Sequence, residues 1–277
     1  IARLAQSRSP AVLSSRWRAT QSFSVFPSLS QAFSVKLRAP HSVFPTLSQP
    51  FLTSYCIKHP LRFASYANFS YLCTIMQRIK NIVFDLGGVV FSRDPHKMER
   101  AFMEFFSYIH LPKMPTFWEE YDRGAVSYDE VVVALAEWNR CDVELAHRKL
   151  QRAIATQEQM PATKRLIEEL KAANYKLYVL SNMSLEFIEF LRTTDVYRNF
   201  DGEVVSCFEK VVKPDAAIYR LLEERYSLNP AETLFVDDRE ANVVAARERG
   251  WSAIHFSTRE AERSCDEVRE LLHTINA

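Results

Sequence analysis

The sequence predicts an α/β protein: a parallel sheet covered by helices on both faces, with an all-helical segment inserted after the first strand. Three observations predict it. Beyond residue 161, short β-branched runs alternate with helical periods, the pattern of strands joined by crossover helices. Polar residues stand where those runs end, at Asp85, Ser181 and Asp237. Between the first run and residue 161 lie about 65 residues with helical signals and no obvious strand.

The elements follow in order. Residues 82–85 close a short β-branched and aromatic run that ends in Asp-Leu-Gly-Gly, which reads as a buried strand feeding a loop. Residues 95–110 suit a helix with proline in its first turn, and the spacing of Phe102, Phe105, Phe106 and Tyr108 marks its core face. Ser127 followed by Glu130 is a capping box opening a helix over 127–139, and 143–155 is a further helix. Helix over 162–173 leads to a strand at 176–180 ending at Ser181. Helix around 187–192 leads to a short strand at 203–206. Helix 216–226 precedes the strand 233–236, which ends at Asp237. Helix 241–249 stops at Gly250, strand 252–256 follows, and a final helix spans 260–272. The inserted helices would sit above the sheet as a cap, giving a core of 80–94 plus 161–277 and a cap of about 95–160.

The front of the chain is a different polypeptide. Residues 1–75 hold eight Lys or Arg, no Asp or Glu, and half of the twelve prolines. The rest carries 27 bases against 34 acids, a formal charge of −7. This basic, Ser-rich extension is expected to lie outside the working protein, with Met76 as the start of the enzyme-like part; the alternative is an organellar transit peptide. The first reading makes the protein cytoplasmic, the second organelle-targeted. Eight bases in 75 residues are too sparse for a nucleic-acid arm. No stretch reaches the roughly 18 apolar residues of a membrane span. Cys56, Cys73, Cys141, Cys207 and Cys265 form no CxxC pair and read as reduced thiols, mostly small core residues.

In open α/β sheets ligands bind beyond the carboxyl ends of the strands. Asp85, Ser181, Lys213 and the pair Asp237–Asp238 fall at those ends or just past them. A carboxylate can attack phosphorus and split one displacement into two easier ones. A hydroxyl and an ammonium can hold phosphoryl oxygens, and adjacent acids offer the hard oxygen ligands that Mg2+ takes. Asp237 and Asp238 also fit a turn or N-cap pair.

These residues carry a family resemblance. Phe84-Asp85-Leu86-Gly87-Gly88-Val89 resembles the first motif of the haloacid dehalogenase superfamily. Leu180-Ser181-Asn182 resembles its second, Lys213-Pro214-Asp215 its third, and Phe235-Val236-Asp237-Asp238 with Asn242 its fourth. The resemblance covers about 80–277 and implies a Rossmann-like parallel sheet with an inserted helical cap. It also implies a Mg2+-dependent phosphatase acting on a small phosphomonoester through an aspartyl-phosphate. On that resemblance Asp85 is the nucleophile and a metal ligand, and Gly87 offers its backbone carbonyl to the metal. Ser181, the Asn182 amide and Lys213 bind phosphate. Asp238 ligates Mg2+, Asp237 acts through a water, and Asn242 supports that loop.

One position departs from the pattern. Many phosphatases of the family carry a second Asp, the general acid and base, two residues after the nucleophile; here Gly87 stands there. Loss of that group typically costs on the order of 10²–10⁴ in rate. The Asp-Leu-Gly start and the cap segment Asp122-Arg123-Gly124-Ala125-Val126-Ser127 resemble a branch similar to bacterial glucose-1-phosphate phosphatases, which points to a sugar phosphate. Asp94 and His96 are candidate proton sources. Arg123 is a candidate for steering an anionic substrate, and Trp118 and Tyr121 for stacking on a sugar; each also reads as ordinary surface or core. A 2-haloacid dehalogenase, a non-catalytic phosphate-binding module and a phosphomutase are the competing readings, and Asp237–Asp238 speaks against the first. The expected partner is a small molecule, with no nucleic acid or membrane.

Overall fold

The structure, a computed structural model, describes residues 78–111 and 113–276, so the expectations for residues 1–75 lie outside it. Five strands form one parallel sheet: β1 (Asn81–Phe84), β4 (Lys176–Ser181), β5 (Gly202–Val205), β6 (Thr233–Asp237) and β7 (Ser252–His255). Their order is β5-β4-β1-β6-β7. The chain builds outward from β1 to β5, then crosses back to lay β6 on the other side of β1. The order therefore reverses at β1, and such a switch point opens a crevice at the strand ends. Register places Phe84 beside both Val179 and Val236, so Asp85 leaves the sheet between Ser181 and Asp237.

Alternation along these strands fills both faces. Ile82, Phe84, Leu177, Val179, Leu234 and Val236 enter one core, with α5 (Pro161–Ala172) and α10 (Ala261–Asn276) over them. Val83, Tyr178, Leu180 and Phe235 enter the other, beneath α8 (Ala216–Tyr226) and α9 (Glu240–Glu248). Fully burying one such side chain stabilises by about 1.5–3 kcal/mol. The sheet is thus held from both sides while its polar ends stay free for chemistry.

The cap has its own core. It contains α1 (Arg100–Phe105), α2 (Thr116–Asp122), α3 (Tyr128–Asn139) and α4 (Val143–Ala155). The capping box is formed as expected: Ser127 accepts from the Glu130 N–H, and Glu130 accepts from the Ser127 N–H. The single helix expected over 95–110 is broken into a 3-10 turn at Pro95–Lys97, α1, and a second 3-10 turn at Ser107–His110. Phe102, Phe105 and Phe106 suit one helical face, but Tyr108 is also buried, and the tighter turn brings it inward. Helix α2 was not expected. Seven residues give the apolar period too little length to show.

Two further features correct the expected boundaries. The chain enters and leaves the cap through an antiparallel ribbon, β2 (Phe91–Ser92) against β3 (Glu158–Gln159). Two-residue strands carry no readable period. The strand expected at 203–206 ends at Val205, and Ser206 opens a one-turn helix, α7 (Ser206–Glu209). A last core helix, α6 (Leu185–Arg192), sends Phe187 into the cap cluster, where it meets Trp118 edge-on at 6.2 Å. Among the described residues no helix is long and apolar enough to cross a membrane.

Candidate active site

The sheet brings the expected residues to one point. Asp85 Oδ1 accepts from the Ser181 hydroxyl at 2.7 Å and lies 3.0 Å from Lys213 Nζ. Lys213 Nζ also donates to Asp237 Oδ2 at 2.6 Å and to the Leu180 carbonyl at 2.8 Å. Asn242 donates its amide to both Asp237 oxygens, and the Arg239 N–H caps Oδ1. All of these groups except Arg239 are buried. Burial alone would discharge Lys213, but Asp237 and Asp85 on either side outweigh it and raise its pKa.

The Asn182 side chain has a structural task that the sequence did not announce. Its side chain clamps the Lys213 backbone, donating to the carbonyl at 3.0 Å and accepting from the N–H at 2.7 Å. The amide side chain therefore positions the lysine. This pairing joins segments 31 residues apart, and nothing local announces it.

Oxygens of Asp85, Asp237 and Asp238 lie within 4.8 Å of one another. Three carboxylates face one ammonium there, so the cluster lacks positive charge. Burial pushes the Asp238 carboxyl up to about 7, and the charges on Asp85 and Asp237 push the same way. Asp237 is also raised by burial, with Lys213 opposing. Hard, crowded carboxylates short of counter-charge suit a divalent cation such as Mg2+. Gly88 makes the approach possible. Its φ of +80° favours glycine, and a Cβ there would stand 2.5 Å from an Asp238 oxygen. A pH dependence follows. Below about 7 protons compete for Asp238, whereas above it the metal-free site holds unrelieved charge. Mg2+ should raise the melting temperature more at pH 8 than at pH 6, by several degrees, as thermal melts would record. An equal rise at both pH values would remove Asp238 from the metal site.

The other candidates separate. Arg123 pairs with Glu119 at 2.8 Å and Glu120 at 3.4 Å, so its charge is already committed on the cap surface. Trp118 is buried among Phe106, Tyr108, Tyr121 and Phe187, and serves the cap core. Asp94 caps the turn after β2 through the His96 N–H, and His96 is exposed. Asp122 of the cap segment is tied to the core by the Ser206 hydroxyl, which donates to its carbonyl. Its pKa is driven well up by burial, lowered by the Ser184 N–H, and raised again by the charge on Asp85. One signal in the sequence was available: an acid in the last turn of a helix opposes the macrodipole, and such breaches cluster at functional sites.

A sheet reversing at β1, a buried Asp–Ser–Lys–Asp constellation at its carboxyl edge and a helical cap define a phosphatase-like hydrolase. The chain belongs to the haloacid dehalogenase-like hydrolases, whose family pattern matches residues 79–250. It is similar to a sesquiterpene phosphatase of Aspergillus oryzae, 26% identical over 205 residues, which span 73% of this chain and 99% of that one. It is also similar to a D-ribitol-5-phosphate phosphatase of Bacteroides thetaiotaomicron, 26% identical over 213 residues, 72% of this chain and 100% of that one. Among solved structures it resembles a haloacid dehalogenase family enzyme of the same bacterium. That structure, of an Asp-to-Ala variant with magnesium and inorganic phosphate, gives a TM-score of 0.53 at 25% identity. The match covers 66% of this chain and 96% of that one.

Proposed function

We propose that this protein is a Mg2+-dependent phosphatase that hydrolyses a small phosphomonoester, a sugar phosphate or similar phosphorylated alcohol, through an aspartyl-phosphate on Asp85. The observation that carries the reading is the placement of Asp85 against Ser181 and Lys213, beside the acidic pair Asp237–Asp238. Asp85 Oδ1 is engaged by both partners, and Oδ2 has no hydrogen-bond partner among the described residues. Asp85 thus has an oxygen for attack on phosphorus, and the aspartyl-phosphate would form there. Ser181 and Lys213 would turn from Asp85 toward the phosphoryl oxygens, where a fixed hydroxyl and ammonium stabilise developing charge. Asn182 and Asn242 hold Lys213 and Asp237 in place, so little rearrangement accompanies the step. Asp85, the Gly87 carbonyl and Asp238 would hold Mg2+, with Asp237 acting through a water. When bound, the ion would neutralise charge and orient the phosphate for in-line attack.

The phosphatases among the relatives, acting on a sesquiterpene and on D-ribitol 5-phosphate by their names, support a phosphorylated alcohol. They differ too much in polarity to choose the alcohol. The acidic pair favours this reading over a dehalogenase, which needs no metal and so no such cluster of carboxylates. We also propose the boundaries 80–94 and 161–277 for the core and 95–160 for the cap, a place for the chain in the cytoplasm, and a small molecule as its partner. The test is phosphate release by the full chain across a panel of sugar and alkyl phosphates, with Mg2+ and with EDTA. Release that needs Mg2+ and stops with EDTA is expected. A folded, Mg2+-binding chain that releases nothing from any of them would leave a phosphate-binding module.

A further inference from the structure

Expelling an alkoxide from phosphorus calls for a proton, and Gly87 cannot supply it. The space beside Gly87 is open: a Cβ there would meet only the end of the Met183 side chain, at 3.9 Å. What borders that space comes from the 182–184 loop, and the cap is fastened to that loop at Asp122. The Met183 N–H donates to the Ser206 hydroxyl at 2.9 Å, and Ser206 donates on to the Asp122 carbonyl. Burial raises the Asp122 carboxyl well above its usual range, the Ser184 backbone opposing this and the charge on Asp85 adding to it. Two buried hydroxyls, Tyr108 and Ser184, have no hydrogen-bond partner among the described residues. An unpartnered buried hydroxyl is costly, by about 1–3 kcal/mol, unless a ligand or water completes it.

The cap loop cannot swing freely. Gly124, at φ +66°, lies so close to α7 that a Cβ would stand 2.6 Å from the Cys207 carbonyl, and Lys210 Nζ donates to the Gly124 carbonyl at 2.6 Å. Arg239, the residue after the acidic pair, reaches across to the Ile109 carbonyl at 2.8 Å. The loop that carries Asp122 is therefore fastened to the core at Ser206 and Lys210, and Arg239 ties the cap down again at Ile109. Asp94 and His96 have no such contacts, being engaged in the turn that follows β2.

Resting on the phosphatase reading above, we infer that Asp122 is the general acid and base of the reaction, filling from the cap the place that Gly87 leaves open in the core. In the first step Asp85 forms its bond to phosphorus as the ester P–O bond breaks, and the Asp122 proton goes to the leaving oxygen. In the second, Asp122 as carboxylate takes a proton from the water that attacks the phosphorus of the aspartyl-phosphate. Phosphate leaves, Asp85 is freed, and Asp122 is again protonated. Burial favours the neutral carboxyl that the first step needs.

The experiment compares the full-length wild-type chain with Asp122→Asn, both with Mg2+, on two esters. Benzyl phosphate loses an alkoxide that needs a proton; p-nitrophenyl phosphate loses a stable phenolate that does not. For Asp122→Asn, kcat/KM on benzyl phosphate should fall on the order of 10²–10⁴, and on p-nitrophenyl phosphate by less than about threefold. Steady turnover of the nitrophenyl ester should slow behind a burst of nitrophenolate, because hydrolysis of the aspartyl-phosphate has lost its base. Retained kcat/KM on that ester shows the variant folded. Equal losses on both esters, or no loss on either, overturn the inference while a working wild type leaves the phosphatase reading standing. A wild type inactive on both esters and on the whole panel above defeats the phosphatase reading and this inference with it.

Discussion

Asp85→Asn should abolish phosphate release and, in the absence of metal, make the protein more stable. On the proposed mechanism, the loss of activity follows from the loss of the attacking carboxylate. Removing a nucleophile typically lowers kcat by roughly 10⁴–10⁶. The gain in stability follows from the charge count. Asp85, Asp237 and Asp238 crowd one Lys213, and the charge on Asp85 helps to push both of its acidic neighbours up. An amide keeps an oxygen for the Ser181 hydroxyl and removes one of those charges. The relief amounts to about 1–2 kcal/mol, which in a domain of this size raises the melting temperature by roughly 2–8 °C. Melts in EDTA at pH 8 beside a phosphate-release assay measure both. A variant that is inactive but also less stable would mean that Asp85 is needed for packing rather than held against its own repulsion.

Lys213→Met should have the opposite effect on stability and the same effect on activity. Methionine approximates the volume of the stem but leaves Asp237, wholly buried, facing Asp85 with no ammonium between them. Breaking a buried ion pair on one side costs about 3–5 kcal/mol. The sign of its pH dependence can be worked out. Lys213 opposes the rise of the Asp237 pKa, so its loss lifts that pKa further. A carboxyl with a raised folded-state pKa stabilises while protonated and loses that contribution as pH climbs toward the folded value. The penalty should therefore be larger at pH 8 than at pH 5, and Mg2+ should restore part of it. Denaturant titrations at the two pH values would show this. A penalty independent of pH would indicate that the lysine acts through its stem. Activity should fall severely in either case, because the proposed mechanism uses the same ammonium on the phosphoryl oxygens.

The sheet and its polar edge were legible in the sequence because each depends on short stretches. The run Asn81–Phe84 is β-branched and aromatic, and it must end where Asp85 and the two glycines begin. The same holds for Ser181 at the end of β4 and Asp237 at the end of β6. Parallel strands joined by crossovers put their carboxyl ends on one side, so these residues had to converge. Ser127 with Glu130 likewise decides its helix start within four residues. The ribbon of β2 and β3 was not legible, nor was the break in the helix after Phe105. One depends on pairing Phe91 with Gln159 and Ser92 with Glu158, far apart in the chain, and the other on which aromatic faces the cap core admits.

The division is sharpest within the site. The sequence by itself determined the identity of Asp85, Ser181, Lys213, Asp237 and Asp238, and their arrival at one edge of the sheet. Only the tertiary structure decided that the Asn182 side chain serves Lys213, that Arg123 is held by Glu119 and Glu120, and that Asp122 is tied to the core through Ser206. The physical reason is the range of the forces involved. Strand and cap signals act over a few residues and leave a pattern in the chain. Hydrogen bonds and charges act through space, between a cap and a core whose docking is set by Phe187, Arg239 and Ser206 rather than by any period in the sequence.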